Sequence, residues 1–372
     1  MTKLSRGRVN VAHVSSAHPY TDNRIHYREC QTLAAAGYDV SLIAVDSKVI
    51  GPESDVYVVK IPNRARLRRL SLSSIQSIYC AFKSRAKIVH LHDPELILFI
   101  PILRLGGRYV IYDAHEDLPM QVLTKPYLTP ASGRAMKVPA HLLVKIAGMT
   151  ANRIVAATSP VAARYKSGKT VVVHNYPPLR TEESDPPKKE DILVYVGAIS
   201  ESRGIIEMLD SLGDRDFPAN WTLHLAGRAG PSALKAIEDK ASTGRVVYHG
   251  ELPPHSARDL MLRAKVGIVA LANTPGHREA LPTKMFEYFA SSLPVIASDF
   301  PVWREILEES DTGILVDETD SSAIARAVRV YAESPELLKK HAGNARRYAV
   351  EVRNWTTEGA KLVGIYDDLI SP

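Results

Sequence analysis

Short apolar runs rich in valine and isoleucine alternate with amphipathic stretches along the whole chain. In the first half the runs are RVNVAHV, YDVSLIAV, DVYVVKI, IVHLH, RYVIYD, RIVAAT and TVVVHN; in the second they are ILVYVG, TLHLAG, VVYHG, VGIVAL, PVIAS and GILV. Near-continuous apolar runs of this length fit strands buried on both faces, as in a parallel sheet covered by helices on either side. Between them lie stretches of helical period such as RIHYRECQTLAAAG, which ends at Gly37, where a C-terminal cap needs a left-handed residue. The halves are separated by YPPLRTEESDPPKKED, residues 176–191, polar and dense in proline and charge, which reads as a linker. The pattern predicts an α/β fold of two doubly wound, Rossmann-like domains, residues 1–175 and 192–345, with 346–372 as a terminal helical segment. In such a pair a ligand is expected at the carboxyl ends of the strands, in the cleft between the domains.

Composition narrows the picture. At 372 residues the chain exceeds one ordinary core. Apolar residues make up 45% and charged residues 24%, as in soluble globular proteins. No apolar run approaches the roughly 18 residues of a membrane span. The start MTKLSRGRVNVAHV lacks the apolar core of a signal peptide, and Cys30 and Cys80 are too isolated for a disulfide framework. These features lead to the expectation of a reducing, cytoplasmic setting. The formal charge is +6, and residues 64–87 carry a run of cations without an acid. Within that run Leu67, Leu70, Leu72, Ile75, Ile78, Tyr79 and Phe82 recur at three and four, which predicts a basic amphipathic helix. Such a helix could rest on an anionic membrane surface, or could use its apolar face to cover the first sheet. No interleaving of basic and aromatic residues points to nucleic acid.

The chemistry concentrates in EALPTKMFE, Glu279 to Glu287, which leads into the apolar ASSLPVIASD. This segment predicts a loop carrying Glu279 and a helix from Pro282 or Thr283 that holds Lys284 and Glu287 in its first turns. The amino end of a helix already carries about half a positive charge, so a lysine there is reasonable when an anion sits between them. Upstream, DILVYVGAIS reads as a strand and loop and SRGIIEMLDSL as the following helix, with Arg203 in its first turn. Two helix starts that each carry a cation suggest one doubly charged ligand, such as a diphosphate, bridging them. Local pairing is the alternative, Lys284 with Glu287 and Arg203 with Glu201 or Glu207. In VHLHDPEL, Asp93 reads as a helix N-cap with Pro94 at the first helical position, and His92 has no assigned role. No group of His, Cys, Asp and Glu stands at metal-ligand spacing, so no metal is expected.

On these segments the chain resembles the GT4 family of retaining, nucleotide-sugar-dependent glycosyltransferases, which have the GT-B fold. The likeness lies in the E-x7-E element with its P-T-K, in VYVGAISESRG, in the closing NWTTEGAKLVGIY, and in VAHVSSAHPYTDNRI and VIYDAHEDLP of the first half, so it covers nearly the whole chain. The resemblance implies that Arg203 and Lys284 hold the diphosphate, with Gly197 and Arg228 beside them. It places Glu287 on the ribose, and Glu279, Ala280 and Leu281 on the donor side. His115 falls near the sugar's hydroxyls and the reaction centre, and His18, Tyr20 and Arg24 fall on the acceptor side. It also implies that the last helix packs back on the first domain, with Trp355 as a pin. The sequence departs from the family at Ala198, where an arginine is common. The implied activity is transfer of a sugar from a nucleotide diphosphate sugar to a saccharide or lipid-linked acceptor in cell-surface polysaccharide assembly, without a metal or other cofactor. Two alternatives are a non-hydrolysing nucleotide-sugar 2-epimerase and a catalytically silent nucleotide-sugar-binding subunit. An NAD-dependent enzyme is disfavoured, because no G-x-G-x-x-G follows the first strand.

Overall fold

The computed structural model describes residues 9–47, 49, 51, 54–122, 130–179 and 187–371. The expected strands form in both halves, and all their pairings are parallel. The chain divides into two compact units, one ending at Asn175 and resuming at Trp355, the other running from Tyr176 to Asn354.

The first unit is built on β1 (Asn10–Pro19), β2 (Asp39–Val45), β3 (Tyr57–Ile61), β4 (Ile88–Leu91), β5 (Tyr109–Ala114), β6 (Arg153–Ala156) and β7 (Thr170–Val172). Their spatial order is β3-β2-β1-β4-β5-β6-β7, so the winding reverses between β1 and β4. That switch point is where a doubly wound sheet leaves a crevice at its carboxyl edge. Helices cover both faces, and β4 is buried along its whole length, as its continuous apolar pattern requires. One face is closed by the final helix, Trp355–Ile370, whose Trp355, Leu362 and Tyr366 are buried in the first unit's core. Trp355 Nε1 donates to Thr32 Oγ1 at 2.7 Å.

The second unit carries β8 (Ile192–Val196), β9 (Thr222–Ala226), β10 (Val246–Tyr248), β11 (Val266–Val269), β12 (Val295–Ser298) and β13 (Gly313–Val316), ordered β10-β9-β8-β11-β12-β13. Its switch point lies between β8 and β11. The domain boundaries differ from the expected ones at both ends. Tyr176, expected in the linker, is buried in the second unit's core, edge-on to Phe286 with ring centroids 4.9 Å apart. The helix Pro335–Glu351, whose residues 346–351 were expected in the terminal segment, keeps Ala345, Tyr348 and Ala349 in the same core, so the terminal segment of the first unit starts at Trp355. Residues 180–186 of the expected linker lie outside the described residues.

The basic run forms a helical stretch in three pieces, Arg66–Arg68, Arg69–Ser73 and Ser74–Lys83. Its sheet-facing side takes only Ile78 and, in part, Phe82 from the apolar stripe. Ser73, Ser74, Ser77, Ile78 and Ala81 are buried, whereas Leu67 is 82% exposed and Leu70, Leu72, Ile75 and Tyr79 also face outward. Small side chains let this helix lie close to the sheet, and they leave the larger apolar residues on its outer side.

Candidate functional site

At the switch point of the second unit, the turn after β8 places Gly197 at φ +138° with the Lys284 side chain packed against it. A Cβ built at Gly197 would fall 2.2 Å from Lys284 Cε, so the missing side chain makes room for the lysine to run along the backbone. The next turn, after β9, is packed as tightly: a Cβ at Gly227, φ +140°, would lie 1.9 Å from the Gly197 carbonyl oxygen. Lys284 sits in the first turn of the helix Thr283–Ala290, as expected, with its Nζ 5.0 Å from the Tyr195 ring centroid. Tyr195 donates to the Ala198 carbonyl at 2.8 Å, and the Tyr288 hydroxyl accepts from Val196 N–H at 3.0 Å, which together hold the β8 turn in place.

Arg203 shares this environment. It closes a single 3-10 turn, Glu201–Arg203, and the left-handed Gly204 separates it from the helix Ile205–Ser211, so it precedes that helix rather than lying in its first turn. Burial, and then repulsion from Arg203, pull Lys284 down to about 8, with Glu287 three residues on acting in the opposite sense. Burial pushes the Tyr195 hydroxyl up to about 12, and the neighbouring Arg203 charge partly counters this. Two half-buried cations are thus held close together at the carboxyl edge of a parallel sheet, Lys284 against glycine backbone. The arrangement is at odds with itself until an anion arrives, and it suits one with two charges.

Gly197, Arg203, Lys284 and Glu287 come together; the other donor-side residues lie further out. Glu279 is not in a loop but ends a short helix, Pro275–Glu279, started by Thr274 whose side chain accepts from His277 N–H. Glu279, Ala280 and Arg228 are exposed, and the Ala280 carbonyl accepts from Trp303 Nε1 at 2.9 Å. Leu281 is half-buried against the core. Tyr195, Tyr288 and Gly227 were missed in the sequence; the glycine after each strand end was the one available signal.

At the first unit's switch point the structure gathers a larger polar group. His115, at the end of β5, is partly exposed, and its Nε2 lies 3.3 Å from both Asp113 Oδ2 and His92 Nδ1. His18 stacks at a tilt beside it, ring centroids 5.3 Å apart. Burial opposes charging His18, but its hydrogen bond to Asp22 and the nearby Asp93 outweigh that and raise it to about 9, so it is a cation at neutral pH. Asp93 makes no side-chain cap on the helix Pro94–Phe99. Instead its carboxylate accepts from Ser15 Oγ and Ser16 N–H, both at 2.7 Å, tying the segment after β4 to β1.

Two of the expected acceptor-side residues are committed elsewhere. Arg24 is buried, with its guanidinium paired to both oxygens of Asp113 at 3.1 Å and to Glu29 at 2.9 Å. Tyr20 is buried too, donating to the Val49 carbonyl at 3.1 Å. Only His18 of the three is partly open to solvent. Behind His115 the fold buries His13, His90, His92 and Glu29, a group invisible in the sequence because its members are far apart in the chain.

Residues 179–348, a little under half the chain, match the family Glycosyl transferases group 1. The match falls within the second unit, and the chain as a whole has the two-sheet GT-B fold of the solved structures it superposes on. Among curated relatives, the alpha-D-kanosaminyltransferase of Streptomyces kanamyceticus is 25% identical over 48% of this chain and 46% of its own. The lipopolysaccharide core biosynthesis mannosyltransferase LpcC of Rhizobium leguminosarum bv. viciae is 26% identical over 45% of this chain and 46% of its own. The chain thus spans a little under half the length of these relatives. Among solved structures, sucrose-phosphate synthase of Thermosynechococcus elongatus superposes on 97% of this chain and 99% of its own at a TM-score of 0.73, with 17% identity. HepE of Anabaena in complex with UDP-glucose does so on 97% of this chain and 100% of its own at 0.70, with 14% identity. WaaG, a glycosyltransferase involved in lipopolysaccharide biosynthesis, covers 98% and 100% at 0.70, with 13% identity. At these identities the superpositions establish the fold.

Proposed function

We propose that the chain is a retaining glycosyltransferase that moves a sugar from a nucleotide diphosphate sugar to a saccharide or lipid-linked acceptor, in the assembly of cell-surface polysaccharide. The observation that carries this reading is the crowding of Arg203 and Lys284 at the edge of the second sheet, with Lys284 packed on Gly197. Departure of a nucleoside diphosphate leaves a dianion as the anomeric carbon gains positive charge, and preplaced cations stabilise that charge where it develops. Glu287, beside Lys284 on the same helix, is suited to accept both ribose hydroxyls. Glu279, with Ala280 and Leu281, faces the donor sugar in this reading, and His115 bonds its hydroxyls. The acceptor oxygen bonds to the anomeric carbon on the face the phosphate leaves, and its proton passes to the departing phosphate oxygen. The named activities of LpcC and WaaG and the UDP-sugar complex of HepE support a sugar nucleotide and a cell-envelope acceptor.

Among the described residues no helix is long and apolar enough to cross a membrane. The outward-facing Leu67, Leu70, Leu72, Ile75 and Tyr79, flanked by Arg64, Arg66, Arg68 and Arg69, support peripheral contact with an anionic leaflet from the cytoplasmic side.

Incubation with UDP-, GDP-, CDP-, ADP- and dTDP-sugars and a saccharide acceptor tests the reaction. The expected product keeps the donor's anomeric configuration by proton NMR, and no donor is epimerised when acceptor is left out. Arg203→Ala and Lys284→Ala should each cost about 3 kcal/mol of transition-state stabilisation, on the order of 100-fold in rate. Full activity in either folded variant, or an inverted product, would refute the assignment.

A further inference from the structure

We propose that His13, His90, His92 and Glu29 form a closed binding site for one zinc ion inside the first unit. His13 on β1 pairs in register with His90 on β4, and His92, two residues further on and just past the end of β4, lies on the same face. Glu29 reaches them from the wide helical turn Ile25–Cys30 that covers this face. All four side chains are fully buried or nearly so, and one donor atom from each lies within 4.8 Å of all the others.

The atoms that face inward follow from what the opposite side of each group does. His92 directs Nδ1 to Asp113 Oδ2 at 3.5 Å, which leaves Nε2 inward. His13 Nε2 and His90 Nδ1 meet the Tyr366 hydroxyl at 3.0 and 2.7 Å, which leaves His13 Nδ1 and His90 Nε2. Glu29 places Oε1 2.9 Å from Arg24 Nε, and its Oε2 stands 3.8 Å from His13 Nδ1 and 4.0 Å from His92 Nε2. His90 Nε2 and Glu29 Oε2 are buried without a hydrogen-bond partner among the described residues, whereas Glu29 Oε1 is ion-paired with Arg24. Buried polar atoms rarely go unsatisfied, and a shared ion accounts for these together.

The surroundings have the form of an outer shell that orients metal ligands: a carboxylate on one histidine, a hydroxyl shared by two, and a guanidinium on the carboxylate ligand. Charge is compatible with a cation, since the buried carboxylates of Glu29 and Asp113 share one buried guanidinium, Arg24, which leaves one negative charge facing the ion. Three imidazoles and a carboxylate suit zinc, and four protein ligands with no open side describe a structural rather than a catalytic site. His13 Nδ1 and His92 Nε2 stand 2.9 Å apart, where without an ion one shared proton would hold them. Zinc about 2.0–2.1 Å from each, in a tetrahedral site, opens that gap to roughly 3.3 Å, which needs only slight rotation of the rings. The ion would join β1, β4 and the Ile25–Cys30 turn, and would fix the tautomer of the ring that touches His115.

The test needs no assay of transfer. The untagged full chain, expressed with zinc in the medium and dialysed against chelator-treated buffer, should contain about one zinc per molecule by plasma mass spectrometry. His90→Gln and Glu29→Gln should lower that content at least tenfold, whereas His224→Gln, in the separate His224–His249 pair of the second unit, should leave it unchanged. If the two variants do not fold, the parent alone decides. Unfolded in guanidinium with chelator and refolded, it should melt at a lower temperature than the purified protein and regain its melting temperature with one equivalent of ZnCl2. A folded parent that holds less than about a tenth of an equivalent of zinc and is indifferent to ZnCl2 would show a metal-free hydrogen-bonded group and overturn the proposal. Zinc lost on His224→Gln but retained on a folded His90→Gln would overturn it equally.

Discussion

Lys284 shows how one residue can be made ready for an anion by its neighbours. Burial and the Arg203 charge hold it at about 8, so near that pH the free protein carries the ammonium only part of the time. A bound diphosphate favours the charged form and moves the value back up. The sign follows directly: binding takes up a proton when the pH is near or above 8, and affinity falls as the pH rises through that range. Calorimetry with a nucleoside diphosphate at pH 8 in two buffers of different ionisation enthalpy should show uptake of about half a proton, and Lys284→Arg should abolish it. Identical heats in the two buffers for the parent protein would mean that Lys284 does not meet the phosphates.

At the scale of the element, the basic helical stretch is the case where composition and packing part company. Its apolar residues recur at helical spacing, which usually marks the face that covers a sheet. Here serines and an alanine take much of that place beside Ile78, and Leu67, Leu70, Leu72, Ile75 and Tyr79 point outward among arginines. Each cation near an anionic leaflet contributes about 1 kcal/mol, and salt screens it with a Debye length near 10 Å at 0.1 M. Sedimentation with anionic vesicles should therefore retain the parent at low salt and release most of it at high salt. A variant with Arg64, Arg66, Arg68 and Arg69 changed to Gln should bind several-fold less. Equal retention of the two proteins, or binding indifferent to salt, would leave this face a solvated one.

For the whole molecule, the chain's order and its compact units do not coincide. The first unit is finished by the last eighteen residues of the sequence, Trp355–Pro372, which return after the entire second unit has been laid down. Leu362 of that segment is fully buried against the first unit's core. Leu362→Ala should therefore cost about 2–5 kcal/mol, and the loss should fall on one unit. Native-state hydrogen exchange should show faster exchange in β1, β2 and β4 with β8, β9 and β11 unchanged. Uniform acceleration in both sheets would contradict the division.

The strands of the described residues and the two-sheet plan were legible because a strand buried on both faces needs only a short, local run of apolar residues. Gly37 marked the end of its helical segment for an equally local reason, a left-handed cap. Lys284 at a helix start was legible too, since proline and threonine announce that start within a few residues. Arg203 was displaced by the left-handed turn at Gly204, which no periodicity reports; a Cβ there would lie 1.8 Å from the Ala270 carbonyl oxygen, so it is the neighbouring strand end that demands the glycine. The same holds more strongly for the buried histidines. His13 meets Tyr366 across 353 positions, and Glu29 reaches His92 only after β1 and β4 have paired in register beneath a particular turn. Sequence pattern determines which elements form, because backbone geometry and burial act over a few residues. Which side chains meet depends on sheet order and register, and those are decided only when the whole core closes.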